Sequence, residues 1–144
     1  MTIIVACRGV MAADSITVSG NVHFRCVVPK IVKVPNDGFA GGSGLTEDTW
    51  FFREWMAGRI VRPEICEPKD FSALWLKADG SVWRCGGSLR WRPGKELEVI
   101  GEIAAEDFCR GAMAAGADAE TAVRLACEHC VWARSPVQVE RLGG

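Results

Sequence analysis

The chain begins with two continuous runs of apolar residues, and the length of each run predicts a β-strand. Residues 3–8 form one such run, closed by an arginine; Gly9 turns it, and residues 10–13 form a second run. Apolar runs of this length bounded by a turn are typical of strands buried on both faces. The chain is therefore predicted to begin with two buried strands.

Shorter strand-like stretches follow, separated by prolines and glycines. Residues 24–28 and 31–34 have strand character on either side of Pro29. This placement suits an edge strand or a bulge, because proline cannot donate a backbone hydrogen bond. Residues 35–38 have the composition of a turn, and residues 39–42 lead from it into the first helix.

The first helix is predicted to begin near Thr46 and to end at Gly58. Thr46 can cap its N-terminus, and Leu45 can pack against the following turn. Its apolar residues recur at helical spacing and predict a face that packs in the core or against another subunit. These residues are Trp50, Phe51, Trp55 and Met56.

The middle of the chain changes from irregular to β. Residues 59–70 contain two prolines and are predicted to be irregular. Residues 71–77 and 81–85 flank Asp79-Gly80, a dipeptide that favours a tight hairpin turn. A tryptophan in each strand is placed to pair across this hairpin.

Two helices and a last strand complete the chain. Residues 104–115 and the segment that begins near Asp118 have helical patterns, joined at Gly116. Residues 97–100 and 137–142 are predicted strands. The order of strands, helix, strands, two helices and strand predicts an α+β fold. We expect a four-layer αββα sandwich, with two antiparallel sheets face to face and helices outside.

Length and charge narrow the class of protein. The 144 residues suit a single domain, 1–144, with a net charge of −1 and a pI near 6.1. Such a balance gives no long-range attraction to nucleic acid or to an anionic membrane. No apolar run approaches the ~20 residues of a membrane span, and the start lacks the pattern of a secretory signal. We therefore expect a cytoplasmic protein that binds neither nucleic acid nor membrane.

The cysteines do not predict a disulfide scaffold. Their number, seven, is odd, and the pattern of an exported protein is missing. Cys127 and Cys130 form a CxxC motif with His129 inside it, but there is no second CxxC to complete four zinc ligands. Both can instead pack inward from a helix. We expect no metal and no cofactor, and two histidines, His23 and His129, supply a serine or cysteine triad poorly.

Candidate chemistry begins at the second residue. If Met1 is removed, Thr2 carries both a hydroxyl and a free α-amine at the head of the first strand. An N-terminal amine can act as the base that activates its own hydroxyl. Such an amine titrates near pH ~8, so part of it is unprotonated at neutral pH. Thr2 is therefore a candidate nucleophile.

Three further residues follow Thr2 in a suggestive order. Asp14 comes after the second strand, Lys30 stands sixteen residues later, and Gly41 lies in the stretch Ala40–Ser43. In this order and spacing the set resembles the proteasome β-subunit and HslV-type family of N-terminal-nucleophile hydrolases. The resemblance implies that Thr2 is the nucleophile, that Asp14 and Lys30 tune it, and that the Gly41 N–H receives the oxyanion.

The implied roles agree with elementary chemistry. A lysine near the N-terminal amine disfavours the doubly charged state and lowers the proton affinity of the amine. Asp14 would hold the ammonium by a charge-assisted hydrogen bond, and one oxyanion donor contributes roughly 3–4 kcal/mol. Each residue also fits an ordinary role: Asp14 in a turn, Lys30 on a solvated strand, and Gly41 in a strand-to-helix turn.

The chain departs from the family in its supporting residues. Family members carry a Gly-Ser-Gly stretch before the first helix of the late pair, whereas residues 101–106 contain no serine. Glu128 is a loose counterpart of a supporting aspartate, and Ser43 is a second candidate for a supporting role. The second long helix that the family carries near residues 59–70 is also missing. Lost supporting hydrogen bonds commonly reduce the rate and leave the fold intact.

The resemblance implies a threonine peptidase that hydrolyses peptide or protein substrates. It also implies a homo-oligomer, such as a ring, served by an AAA+ unfoldase. Two alternatives stay open: a catalytically inactive assembly protein on the same fold, and an amidase for small substrates. Retention or removal of Met1 separates the active from the inactive interpretation.

Overall fold

The computed structural model describes residues 2–15, 17–19, 22–24, 29–131 and 133–143. Met1 and residues 25–28 of a predicted strand lie outside this range. The strands are β1 (Ile3–Cys7), β2 (Val10–Ala13), β3 (Thr17–Ser19), β4 (Val22–Phe24), β5 (Ile31–Lys33), β6 (Phe39–Ser43), β7 (Ser72–Leu76), β8 (Val82–Gly86), β9 (Arg92–Pro93), β10 (Leu97–Gly101) and β11 (Gln138–Arg141). The helices are α1 (Thr46–Met56), α2 (Ile103–Ala114) and α3 (Ala119–His129), with a 3-10 turn at Pro68–Asp70.

Two antiparallel sheets form the centre of the molecule. The first sheet has the order β10-β1-β2-β11, and the second has the order β5-β6-β7-β8-β9. All five residues of β1 are buried, as the apolar run predicted, because β1 is a central strand covered on both faces. The hairpin predicted at Asp79-Gly80 joins β7 to β8, and Trp75 lies opposite Trp83 across it.

Three apolar clusters define the layers. Ile4, Leu74 and Ile100 belong to the cluster between the two sheets. The outer face of the first sheet packs against α2 and α3, and the outer face of the second sheet packs against α1 through Phe52. The fold is the predicted four-layer αββα sandwich.

Helix α1 differs in detail from its prediction. Leu45, rather than Thr46, occupies the N-cap, and no side chain caps this end. Phe52 is fully buried, whereas Trp50 and Phe51 are 51% and 41% exposed. The run Trp-Phe-Phe covers several faces of a helix, so periodicity alone could not decide which aromatic residue enters the core.

The predicted irregular segment between α1 and β7 has one short 3-10 turn and is held by Asp48. This carboxylate is buried, and it accepts hydrogen bonds from the backbone N–H groups of Cys66 (2.8 Å) and Glu67 (3.0 Å). A buried carboxylate needs such donors to offset its desolvation. Asp48 therefore fixes the extended segment to α1 in place of a second long helix.

The late helices form the predicted hairpin. Asp118 caps α3, because its side chain accepts a hydrogen bond from Thr121 N at 2.7 Å. Glu102 caps α2 in the same way through Ala105 N at 2.9 Å. None of the described helices is long and apolar enough to cross a membrane.

Candidate functional site

Thr2 immediately precedes β1 and is only 8% exposed. Its carbonyl oxygen accepts a hydrogen bond from Glu102 N at 3.0 Å. A Cβ added to Gly101 would lie 1.8 Å from this same oxygen. The backbone of the loop before α2 therefore contacts the carbonyl of Thr2. This loop has no serine at the place where the family that the sequence resembles has one.

Asp14 lies just after β2, beside the start of β1. Its side chain is fully buried, and its Oδ1 accepts from Ile3 N at 3.0 Å. Its Oδ2 accepts from Arg134 N at 3.2 Å. The first sheet therefore binds this carboxylate to the N–H of the residue that follows Thr2 and fixes it at both oxygens.

Lys30 completes a buried ion pair at this end of β1. Its Nζ donates to Asp14 Oδ1 at 2.8 Å, and the two side chains are 5% and 0% exposed. Burial lowers the pKa of Lys30 below its ordinary value, while the carboxylate of Asp14 opposes this shift. A buried lysine with a lowered pKa gives up its proton more readily than a surface lysine.

Gln138 is a supporting residue that sequence analysis missed. Its side chain accepts from Lys30 N at 2.8 Å and donates to Ser15 Oγ at 2.9 Å. Ser15 Oγ in turn donates to Pro136 O at 2.6 Å. This network ties the chain before β5 to β11 and the end of β2. Its polar position in an alternating strand was visible in the sequence, but its partners were not.

Gly41 lies in β6, opposite Ile31 of β5 and Leu74 of β7. Val34 N donates to Gly38 O at 2.9 Å at the turn of the β5–β6 hairpin. The use of the Gly41 N–H as an oxyanion donor stays a prediction.

Gly41 has a different structural role. A Cβ at this position would lie 2.8 Å from Ile4 Cδ1 and 2.9 Å from Lys30 O. Real Cβ atoms are not found this close to other atoms, so only glycine allows β6 to approach β1 and Lys30 as observed. The glycine therefore sets the position of Lys30 whether or not it takes part in the reaction.

A cleft of about 490 Å³ lies beside the loop whose backbone contacts the Thr2 carbonyl. Its lining includes Ser43 and Gly44 at the end of β6, and Gly101 and Glu102, whose backbone contacts the Thr2 carbonyl. Ser43, predicted as a possible supporting residue, lines this cleft and has no contact to Asp14 or Lys30 among the described interactions.

Glu128, Cys127 and Cys130 form no hydrogen bond with Asp14 or Lys30 among the described interactions. The Glu128 side chain is 56% exposed, and its ionic neighbour is His129 at 3.9 Å. Its supporting role stays a prediction. Cys127 and Cys130 pack against the cluster under α2 and α3, and no group of metal-ligating side chains occurs among the described residues.

Cys127 has one further feature. Burial and the Asp14 carboxylate together raise the pKa of Cys127 to about 11, although the Lys30 ammonium opposes this shift. The thiol therefore lies within electrostatic reach of the ion pair. No motif or spacing in the sequence indicates this proximity.

Comparison with known proteins gives a clear result at the level of structure alone. No family model and no curated protein matches the chain. The structure of Thiobacillus denitrificans BPH is similar, with a TM-score of 0.71, 15% identity and 99% of both chains covered. The chain has a proteasome/HslV-type fold.

Two further structures with the proteasome/HslV-type fold support this result. Thiobacillus denitrificans BPH in complex with Epoxomicin gives a TM-score of 0.71 at 16% identity, with 100% of both chains covered. Eukaryotic HslV from Trypanosoma brucei gives 0.69 at 18% identity, with 98% of this chain and 99% of that chain covered. The resemblance stated from the sequence is thereby confirmed for the fold.

Proposed function

We propose that this protein is a threonine peptidase that acts after removal of Met1. The Thr2 hydroxyl attacks a peptide carbonyl carbon, and the free α-amine of Thr2 takes the hydroxyl proton. The tetrahedral intermediate collapses to an ester on Thr2 and releases the amine product, which receives that proton. Water then hydrolyses the ester, releases the carboxylic acid and regenerates Thr2.

The observation that carries the proposal is the shared oxygen of Asp14. Asp14 Oδ1 accepts both from Lys30 Nζ (2.8 Å) and from Ile3 N (3.0 Å). The same atom thus fixes the ammonium and the backbone next to Thr2. In the proposed enzyme this ammonium lowers the proton affinity of the Thr2 amine, and the low polarity of the buried site strengthens the effect.

The oxyanion donor is proposed to be the Gly41 N–H, the donor that the sequence predicted. Gly41 lies in β6 between Ile31 of β5 and Leu74 of β7, and a Cβ there would lie 2.9 Å from Lys30 O. One such donor contributes roughly 3–4 kcal/mol to the stabilisation of the transition state.

The proposed peptidase activity also implies the kind of substrate and partner. The substrate is a peptide or an unfolded protein, and the enzyme is a cytoplasmic homo-oligomer, such as a ring, fed by an AAA+ unfoldase. The half-exposed Trp50 and Phe51 on α1 supply apolar surface for contact between subunits.

The proposal is tested by intact mass and by peptidase activity. The purified native protein is expected to lack Met1 and to cleave a fluorogenic peptide. Thr2→Ala should abolish cleavage, Thr2→Ser should retain part of it, and Thr46→Ala, a change at an exposed threonine, should leave it unchanged. Epoxomicin, named in the complex of Thiobacillus denitrificans BPH, should add its mass to the wild type but not to Thr2→Ala. Equal activity of Thr2→Ala would remove Thr2 from the mechanism.

A second candidate function is an assembly protein without hydrolytic activity. It is favoured by the absence of a serine from residues 101–106, where the resembling family has one. Full retention of Met1 in the native protein, together with a stable oligomer, would support this function. An amidase for small substrates would instead lack Met1, cleave small amides and leave peptides intact.

A further inference from the structure

A basic cleft lies at the edges of the two sheets, where β9 ends the second sheet and β10 ends the first. Its volume is about 390 Å³. The charged side chains that line it are Arg84, Arg92, Lys95, Glu98 and Arg110. Four positive groups and one negative group line it, and Glu106 outside the lining pairs with Arg110, so two positive charges stay without an ion pair among the described residues. The chain as a whole has a net charge of −1, so this concentration of positive charge is local.

Two arginines stand directly opposite each other in this cleft. Arg84 of β8 pairs with Arg92 of β9 in the antiparallel ladder. Side chains at such positions are ~5 Å apart at Cβ, and like charges there destabilise a sheet. The pair therefore needs negative charge nearby.

Glu98 neutralises only one of these arginines. Its carboxylate is almost fully buried and accepts from Arg84 Nη1 at 3.0 Å and from Lys95 N at 3.4 Å. Glu98 lies on β10, so this bond crosses from one sheet edge to the other. Because Glu98 is buried, it holds the Arg84 guanidinium in a fixed position. The side of the guanidinium that does not face Glu98 can still contact a ligand.

The other positive groups are partly or wholly uncompensated. Arg110 binds Glu106 Oε1 at 3.2 Å and Val99 O at 3.4 Å. Arg92 and Lys95 are exposed, and neither forms an ion pair with any residue in the described part of the chain. Positive charge thus gathers on side chains that are free to contact a ligand.

We propose that this cleft binds a small molecule that carries linked phosphate groups. Guanidinium groups present paired donors that match phosphate oxygens, and the planar groups of Arg84, Arg92 and Arg110 come from three different elements. Two or more linked phosphates contact several of these groups at once and offset the positive charge that Glu98 and Glu106 leave uncompensated. The site uses no residue of the Thr2 site, so it stands independently of the proposed peptidase activity.

Calorimetric titration of the full chain with inorganic pyrophosphate tests the proposal. We expect one pyrophosphate per chain, and at least tenfold weaker binding by Arg92→Ala and by Lys95→Ala. Both side chains are exposed and unpaired among the described residues, so the folds of these variants should match the wild type by circular dichroism. Arg90→Ala, an exposed arginine outside the cleft, is the matched control and should bind like the wild type.

Titration with ADP shows whether the cleft recognises a nucleotide or the linked phosphates alone. Stronger binding of ADP than of pyrophosphate would identify a nucleotide site, and equal binding would identify the phosphates alone as the recognised group. Thr2→Ala should bind like the wild type, whatever happens to its peptidase activity. The proposal is overturned if the wild type does not bind pyrophosphate at millimolar concentration, if succinate binds equally well, or if Arg90→Ala weakens binding as much as Arg92→Ala.

Discussion

Lys30 and Asp14 form a buried ion pair that joins the two sheets at the start of β1. Their contact, Nζ to Oδ1, is 2.8 Å long, and the residues stand sixteen positions apart in the sequence. The pair also holds the backbone of β1, because Ile3 N donates to the same Oδ1 at 3.0 Å. The relationship is therefore structural as well as a candidate part of the chemistry.

Asp14→Asn is expected to destabilise the protein strongly. Removing one partner of a buried ion pair leaves the other charge uncompensated, at a cost of about 3–5 kcal/mol in the free energy of unfolding. Urea unfolding followed by tryptophan fluorescence measures this cost. Asp107→Asn, an exposed carboxylate on α2, should change the same free energy by less than about 0.5 kcal/mol. Equal unfolding midpoints for the two variants would contradict the structural role of the pair.

Gln138→Leu is expected to loosen the position of Lys30. The variant loses the acceptor for Lys30 N and the donor to Ser15 Oγ, and the loss of these hydrogen bonds costs about 1–3 kcal/mol in the free energy of unfolding. In the proposed peptidase the change should lower kcat more than it raises KM, since the network positions the ion pair and not the substrate. The control is Glu140→Gln, an exposed change on the same strand. An unchanged kcat with reduced stability would limit Gln138 to a role in folding.

Gly101→Ala is expected to displace Thr2. The added Cβ would lie 1.8 Å from the Thr2 carbonyl oxygen, and the backbone φ of 133° is itself unfavourable for alanine. Peptidase activity should fall at least tenfold, and thermal unfolding should occur at a lower temperature. Gly111→Ala in α2 meets no atom within 4 Å and should instead stabilise the helix by about 0.5–1 kcal/mol. If both variants behave alike, the close contact at Gly101 does not constrain Thr2.

Alkaline pH is expected to destabilise the protein through its buried thiols. Burial raises the pKa of Cys85 and of Cys109 to about 12, from an ordinary value of 9.0. Above about pH 9 these thiols ionise in the unfolded state but stay protonated in the folded state. The unfolded state then binds fewer protons, so stability falls as the pH rises from about 9 towards 12. At pH 10 each thiol contributes a loss of about 1.4 kcal/mol.

Cys109→Ala tests this pH dependence. The variant should lose less free energy of unfolding between pH 8 and pH 10 than the wild type, by about 1.4 kcal/mol. Met113→Leu, a buried change on the same helix without a titrating group, should keep the wild-type slope. Urea titrations at the two pH values give both slopes. If the free energy of unfolding falls equally with pH in the wild type and in Cys109→Ala, the Cys109 thiol is not a source of the lower stability at alkaline pH.

Sequence patterns predicted most elements because the signals were local. The run Ile3–Cys7, the Asp79-Gly80 turn and the Asp118 cap each depend on neighbours within a few residues. Helix α1 was less well predicted, since the aromatic run Trp50–Phe52 offers two alternative faces. Packing of Phe52 against Phe71, with ring centroids 5.4 Å apart, decides which face is buried.

The candidate site was predicted in part. Spacing and resemblance selected Asp14 and Lys30, which the structure brings into contact. The same reasoning chose Gly41 as the oxyanion donor, which stays a prediction. It did not reveal that a Cβ at Gly41 would lie 2.9 Å from Lys30 O, because this close approach depends on how β6 packs beside the chain that precedes β5.

The sequence by itself determined the order of strands and helices and the placement of a threonine at the head of a buried strand. Hydrophobic period and turn residues encode such features within short stretches of chain. Tertiary structure alone decided that Gln138 reaches Lys30, more than a hundred residues away, and that Arg84, Arg92 and Arg110 meet at one sheet edge. These contacts depend on how the two sheets are stacked and registered, and that arrangement arises from the packing of the whole core.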